Sequence, residues 1–139
     1  MIDARRIEEA GLNALQTQRQ LFYDGWLLRV SPGSAKRARS VNSFFFFILP
    51  FDEKIAHCER VYGERELPAL FRITPFVHPA DLEGALARRG YRPFQPTLVQ
   101  ARAMARHWSV IQLGKPAGTT FCKWSISTKE FREELQWAA

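Results

Sequence analysis

The sequence predicts an α+β domain, and three observations carry that prediction. Two strand-like segments, 23–30 and 35–48, flank a Ser31-Pro32-Gly33-Ser34 turn, which is the pattern of a β-hairpin. Segments with apolar residues at helical spacing precede and follow this hairpin. The chain has 139 residues, of which 46% are hydrophobic and 24% charged, so one ordered domain with a real core is expected.

The first half of the chain begins with a predicted helix over 3–18, for which Asp3 is an N-cap. In the strand over 23–30, alternate residues point to opposite faces: Trp26, Leu28 and Val30 to one, Leu27 and Arg29 to the other. The second strand, 35–48, carries three basic residues and ends before Pro50. Those basic residues are Lys36, Arg37 and Arg39.

Four further elements are predicted downstream. They are a helix over 51–63, a strand over 70–74, a helix over 79–89 and a strand over 97–101. In the second of these helices Pro79 suits the first turn, and Gly90 ends it. The sequence thus predicts a domain over 1–105. In the remainder, 106–139, we expect a strand over 108–113, a linker over 114–120, and a Ser127-x-x-Glu130 capping box opening a last helix that reaches Trp137.

The charge and cysteine content restrict the function classes. The net charge of +6 is divided equally between the first fifty and the last 39 residues, whereas a nucleic-acid binder usually concentrates it on one face. Nucleic-acid binding is therefore not expected, and an Arg-rich composition also fits a GC-rich genome. Cys58 and Cys122 lie far apart with no Cys-x-x-Cys, which indicates free thiols in a reducing compartment.

The sequence also bears on the cellular location and on metal binding. The N-terminus shows no signal-peptide pattern, and the longest apolar run, 44–49, is too short to span a bilayer. We therefore expect a cytoplasmic protein with no membrane association. The histidines His57, His78 and His107 are scattered without ligand spacing, so no metal site is predicted.

The stretch 23–42, YDGWLLRVSPGSAKRARSVN, resembles a bacterial branch of the GNAT superfamily of N-acetyltransferases. Members of that branch begin with an Ile-Glu-Glu-Ala helix, then a Tyr-Asp-Gly-Trp-Leu-Leu-Arg strand, then a Gly-x-x-Lys-Arg-Ala-x-Ser-Val-Asn strand. Here the same motifs stand at 7–10, 23–29 and 33–42, and the resemblance covers roughly residues 6–100. It implies a GNAT-like mixed, largely antiparallel sheet flanked by helices, incomplete at the C-terminal side.

The resemblance also implies a cofactor, acetyl-CoA. Members of the branch are often about twice as long, with two acetyltransferase-like halves and the cofactor site in the C-terminal half. The superfamily binds the pyrophosphate through an Arg/Gln-x-x-Gly-x-Gly/Ala loop at a helix N-terminus, where N–H groups and the helix dipole stabilise phosphate. No such loop is present in this sequence, and Leu86 stands where many members place the tyrosine that protonates the departing thiolate.

If the chain is active, the expected reaction is direct transfer of the acetyl group from acetyl-CoA to the amine of a small molecule or peptide. Six residues are candidates for contact with substrate or cofactor: Trp26, Arg29, Lys36, Arg37, Arg39 and Asn42. For the three basic residues after the turn, a solvated sheet edge is an equally good interpretation, and for Trp26 the core is favoured. No base is assigned, because the possible carboxylates are also typical surface residues: Asp24, Glu53, Glu59, Glu64 and Glu66.

Two functions therefore stay open. One is a GNAT-type N-acetyltransferase, or the N-terminal half of one. The other is a non-catalytic GNAT-like module that forms a homodimer or supports a missing catalytic half. Four consecutive aromatic residues are candidates for core or for such an interface: Phe44, Phe45, Phe46 and Phe47.

Overall fold

A computed structural model describes residues 3–101 and 120–128 of the chain, with side chains described up to residue 99. Within these ranges three α-helices and six strands follow one another. They are α1 (Ala4–Ala14), β1 (Arg19–Tyr23), β2 (Trp26–Val30), a 3₁₀ turn (Lys36–Ala38), β3 (Val41–Ser43), α2 (Phe51–Gly63), β4 (Phe71–Ile73), α3 (Leu82–Arg88), β5 (Arg92–Ala101) and β6 (Thr120–Thr128). The predicted α+β class is confirmed.

The six strands form one open sheet in the order β1-β2-β3-β4-β6-β5. All neighbours are antiparallel except β3 and β4, which run parallel and are linked through α2. The largely antiparallel character expected of the sheet is therefore confirmed. The last strand, β6, lies between β4 and β5, so a strand from the 106–139 segment completes the sheet formed by residues before 105.

The hairpin differs from the predicted one because its turn lies earlier in the chain. Asp24 and Gly25 join β1 to β2, and both have positive φ, 42° and 80°, as a two-residue type I′ turn requires. The strand Arg19–Tyr23 was not predicted, although an Asp-Gly pair between apolar residues is a strong hairpin signal.

The prediction of a basic strand over 35–48 is wrong outside Val41–Ser43. The segment Lys36–Ala38 forms a single 3₁₀ turn whose backbone bonds are local: Ala38 N–H donates to Ala35 and Arg39 N–H to Lys36. Because these groups are satisfied within the turn, the basic segment has no ladder bonds to offer a neighbouring strand.

The two faces of the sheet are covered by different helices. On one face, Trp26, Leu28 and Val41 pack with residues of α2 and α3 into the main core. The members from the two helices are Ile55, Cys58, Tyr62, Leu82 and Leu86. The alternate strand residues Arg29 and Arg72 point to the other face and meet α1. This alternation gives one face an apolar core and the other a buried polar layer.

The helices confirm most of the predicted signals. The Asp3 carboxylate accepts the Arg5 N–H at 3.0 Å, and Gly90, with φ of 87°, ends α3. The helix α1 ends at Ala14, shorter than the predicted 3–18, because the Arg29 guanidinium binds the carbonyls of Leu12 and Leu15. The helix α3 begins at Leu82, after a turn that contains Pro79.

The last strands extend beyond their predicted limits. Strand β5 begins at Arg92 rather than at 97 and contains an irregularity between Phe94 and Thr97. Strand β6 was not predicted, and because Ser127 lies inside it, the prediction that Ser127 caps a helix is wrong. The predicted strand over 108–113, residues 114–119 of the predicted linker and the helix reaching Trp137 lie outside the described residues.

Candidate functional site

The segment 44–50, which we call the aromatic connection, joins β3 to α2 at one edge of the sheet. Because β3 and β4 are parallel, their carboxyl ends lie at this same edge, the place where open α/β sheets commonly bind ligands. Two backbone bonds fix the segment there. Phe45 N–H donates to the carbonyl of Gly25 in the β1–β2 turn, and His78 N–H donates to the carbonyl of Ser43.

The four phenylalanines of the connection are divided between core and solvent. Phe44 is half-buried and stacks on Phe76 with ring centroids 6.0 Å apart, and Phe47 packs against Phe51 at 5.6 Å. In contrast, Phe45 and Phe46 are 55% and 86% exposed, and Ile48 is 93% exposed. The connection therefore anchors two rings and presents three large apolar side chains outward.

The backbone donors of the connection are bound to an internal anion. The Asp24 carboxylate accepts the N–H of Ile48 at 3.1 Å and that of Leu49 at 2.9 Å. Its Oδ2 also lies 3.3 Å from Nζ of Lys54. Burial raises the pKa of Asp24, but the N–H groups and the ammonium outweigh this effect and leave the pKa below its ordinary value. Asp24 thus occupies two backbone donors of the connection, those of Ile48 and Leu49.

Lys54 completes this arrangement from the first turns of α2. Its side chain is fully buried, and Nζ donates to the Asp24 carbonyl at 2.6 Å. The ammonium lies 4.2 Å from the ring centroid of Trp26 and 4.5 Å from that of Phe47, which are cation–π distances. Burial lowers the pKa of Lys54, and Asp24 opposes that shift. We call this cluster of Asp24, Lys54, Trp26 and Phe47 the lysine cage.

A shallow depression lies beside the connection on the α1 side. It is lined by Arg5, Glu8, Glu9, Phe44, Phe45 and Phe76, and its void is about 50 Å³. A single water occupies about 30 Å³, and pockets for drug-sized ligands run from about 300 Å³. The depression therefore has room for water and no more than a small group.

The sequence-predicted contact residues are divided between the two faces of the sheet and the segment before β3, and Arg29 Nη1 donates to the Arg37 carbonyl at 3.5 Å. Trp26 is fully buried on the core face. Arg29 and Asn42 are buried beneath α1, where Arg29 Nη2 donates to Leu12 at 2.9 Å and Asn42 Nδ2 donates to Ser40 at 3.0 Å.

The three basic residues after the turn lie at the other end of β3. Lys36 Nζ donates to Oε1 of Gln95 at 2.9 Å and lies over the Phe94 ring. Arg37 is exposed beside Gly11, and Arg39 is half-buried. Because β3 runs from Val41 to Ser43, these residues precede it and the aromatic connection follows it. The structure therefore separates the basic segment from the carboxyl edge of the sheet.

Sequence reasoning missed a buried ion pair on the α1 face. The Arg72 guanidinium binds both carboxylate oxygens of Glu8, with Nη2 to Oε2 at 3.3 Å, and its Nη1 also lies 3.5 Å from Oδ1 of Asn42. Burial lowers the pKa of Arg72, and Glu8 opposes that shift. A signal was present, because Arg72 is a charged residue inside a short apolar strand, and such a residue needs a partner.

Lys54 was also missed, and its signal lies in the helical spacing. It precedes Cys58 and Tyr62 at intervals of four, so all three share the inward face of α2. A lysine on such a face requires either a path to solvent or a counter-charge. Asp24 is that counter-charge, but it is distant in sequence and adjacent only in the fold.

The possible base carboxylates differ in their surroundings. Glu53, Glu64 and Glu66 are exposed, whereas Glu59 accepts the Tyr91 hydroxyl at 2.9 Å and Arg89 Nη2 at 3.2 Å. Asp24 is held in the lysine cage. Among these five carboxylates, Asp24 and Glu59 are therefore bound to side chains of the fold, and the other three lie at the surface.

The N-termini of the three described helices carry negative charge. Asp3 caps α1, Asp52 and Glu53 lie in the first turn of α2, and Asp81 and Glu83 lie at the start of α3. Carboxylates complement the positive end of a helix dipole and repel a second anion there. A pyrophosphate is thus disfavoured at each of these termini.

The histidines and cysteine of the described part serve packing. His57 stacks on Tyr23 with centroids 3.7 Å apart, and His78 contacts Phe46 and Phe47. Burial raises the pKa of the Cys58 thiol to about 12, so it is not a nucleophile at neutral pH. Within residues 3–101 and 120–128, no group of three His, Cys, Asp or Glu is placed to hold a metal ion.

Comparisons with known proteins add no relative. No model of a protein family, no curated protein and no solved structure matches this chain. Over the part of the chain that the structure describes, none of the helices has both the length and the apolar character needed to cross a bilayer.

Proposed function

We propose that this chain is a non-catalytic, acetyltransferase-like module whose role is protein association. The acetyltransferase part of the proposal rests on the motifs at 7–10, 23–29 and 33–42 and on the element order. The resemblance also depends on the order helix, hairpin, helix, strand, helix, strand. The structure has the last four of these in α2, β4, α3 and β5, and it has three strands, β1 to β3, where the hairpin was expected.

The occupied donors of the aromatic connection carry the non-catalytic part of the proposal. An acetyltransferase of this superfamily uses free N–H groups at the start of a helix to bind the cofactor pyrophosphate. Here the residues before α2 include no glycine, and the N–H groups of Ile48 and Leu49 are bound to Asp24. A pyrophosphate would have to displace a carboxylate that Lys54 also holds, and would then face Asp52 and Glu53.

The proton donor gives a second, weaker argument. Leu86, which stands in place of the usual tyrosine, is fully buried in the core cluster. It supplies neither a hydroxyl nor access to solvent at that position. Protonation of a departing thiolate would therefore need another acid.

The exposed side chains of the connection support the association role. A stable fold rarely leaves Phe45, Phe46 and Ile48 together in water unless they meet a partner, because each buries considerable apolar area on contact. Aromatic residues are also enriched at protein interfaces. The connection thus has the composition of a protein interface.

Calorimetric titration of the full chain with acetyl-CoA, and separately with CoA, tests the non-catalytic proposal. We expect no saturable heat up to millimolar cofactor. Saturable binding by the wild-type chain would contradict the proposal and favour acetyl transfer to an amine instead.

A further inference from the structure

The two edges of the sheet are protected very differently. At the β5 edge, Pro93 and Pro96 lack N–H groups, the ladder is irregular between Phe94 and Thr97, and Gln95 has φ of 48°. Proline and bulges are the features by which proteins prevent another strand from adding to an edge. The β1 edge has neither, since Arg19–Tyr23 pairs with β2 in an unbroken register over its whole length.

The register identifies the backbone groups that β1 presents outward. A two-residue turn makes Tyr23 and Trp26 a hydrogen-bonded pair, and in an antiparallel ladder such pairs alternate with non-bonded ones. Leu21 therefore directs its N–H and C=O toward β2. Gln20 and Phe22 direct theirs away from the sheet, and both side chains are exposed, Phe22 by 67%.

We propose that the β1 edge binds the β1 edge of a second copy of this chain. The strands run antiparallel about a two-fold axis at Leu21, so that Gln20 of each copy exchanges N–H···O bonds with Phe22 of the other. This register uses the outward groups and leaves the bonds to β2 intact. The inference rests on the proposed association role and names both the partner and the surface.

The side chains of β1 suit a self-complementary pairing. The only charge in the strand is Arg19, and the two-fold axis places it opposite Tyr23 of the other copy rather than opposite a like charge. Arginine and tyrosine form a favourable pair when the guanidinium covers the ring. Phe22 lies opposite Gln20, and its exposed ring is then covered by a second chain.

The aromatic connection extends the same edge. Ile48 N–H is bound to Asp24, the residue that directly follows β1, so the exposed Ile48 side chain lies at the end of the pairing strand. Phe45 is likewise bonded to Gly25 in the same turn. The exposed side chains of Phe45 and Ile48 therefore belong to residues that are bonded to the turn at the C-terminal end of β1.

Sedimentation velocity of the full chain over a broad concentration range tests this inference. We expect a reversible dimer in the wild type. Gln20→Pro removes an outward N–H and no N–H that bonds to β2, so the dissociation constant of the dimer should rise by about tenfold or more while the melting curve changes little. Gln20→Thr keeps the N–H and should dimerise like the wild type. A wild-type chain that stays monomeric, or a Gln20→Pro dimer as tight as the wild type, overturns the inference.

Cross-linking keeps the test decisive if Gln20→Pro does not fold. On the Cys122→Ser background, Leu21→Cys should form an intermolecular disulfide on mild oxidation, because cysteines facing each other across the axis have the required separation. Gln95→Cys, on the opposite edge, should not. If Leu21→Cys forms no cross-link, the β1 pairing is overturned. That result does not bear on acetyl-CoA binding, so the non-catalytic proposal is tested separately by the calorimetric titration.

Discussion

Each buried charge of the described core has a specific partner, and these pairs determine local geometry. Glu8 binds Arg72, Lys54 binds Asp24, and Arg29 binds the last carbonyls of α1. A buried charge is costly unless its partner compensates it, so removing one member of a pair costs more than the pair itself contributes. These residues therefore act as constraints on how the helices meet the sheet.

Glu8→Gln should lower the free energy of unfolding by about 3 kcal/mol, because it leaves the buried Arg72 guanidinium without its counter-charge. Urea denaturation measures the change. Glu9→Gln is the matched control, since Glu9 is exposed on the same helix and should change stability by less than about 0.5 kcal/mol. Equal losses in the two variants would contradict the role assigned to the buried pair.

Gly25→Ala should destabilise the chain by about 3 kcal/mol, through left-handed backbone strain and a steric clash. A Cβ at Gly25 would lie 2.3 Å from the Phe46 carbonyl oxygen, and the residue has φ of 80°. Gly90→Ala measures the backbone strain alone. Gly90 has φ of 87°, but a Cβ there would meet none of the described atoms within 4 Å. Thermal or urea unfolding that finds the two variants equal would exclude the clash with the aromatic connection.

At the scale of elements, the lysine cage joins three parts of the chain that are separate in sequence. Asp24 belongs to the β1–β2 turn, Ile48 and Leu49 to the aromatic connection, and Lys54 to α2. Because the carboxylate in the turn binds the other two parts, the position of the connection depends on the charge of Asp24.

That dependence predicts a pH effect. The pKa of Asp24 is below its ordinary value of 3.8 in the folded chain, so its stabilising contribution is present above that value and is lost as the pH falls through the lower folded pKa. Asp24→Asn should therefore be less stable than the wild type at pH 7, and the difference between them should shrink as the pH falls below 3.8. Urea unfolding of both proteins at a series of pH values from 7 down to 2 measures this difference in stability.

A matched control for the pH series is Asp81→Asn. Asp81 is exposed at the start of α3 and makes no side-chain capping bond, so the difference from wild type should stay small across the range. A wild-type advantage over Asp24→Asn that persists unchanged to pH 2 would show that packing, rather than the charge of Asp24, holds the connection.

Local signals predicted the elements whose ends are chemically marked. The helix α2 was predicted at its observed bounds, and α3 was correctly ended at Gly90. The basic strand was predicted wrongly because alternation in 35–48 could not show that Lys36–Ala38 satisfies its own backbone groups. Strand β6 was missed because its neighbours, β4 and β5, are chosen by tertiary contacts and not by nearby residues.

At the scale of the whole molecule, β6 connects the two parts of the sheet. It pairs with β4 on one side and with β5 on the other, so these strands have no ladder between them without it. A chain ending at Ala101 should therefore lose cooperative unfolding, while one ending at Thr128 keeps every described strand and should unfold cooperatively. Far-UV circular dichroism in a urea titration distinguishes them, and a cooperative transition in the shorter chain would refute a structural need for β6.

The sequence by itself determined the α+β class, the bounds of α2 and the end of α3, because caps, proline, glycine and apolar spacing act over a few residues. Only the tertiary structure decided that Asp24 closes the donors before α2 and that Arg29 and Asn42 are buried beneath α1. Both arrangements depend on contacts between polar or charged groups that are far apart in sequence. In the low dielectric of the interior an unpaired polar group is costly, so only a fold that pairs these groups is stable.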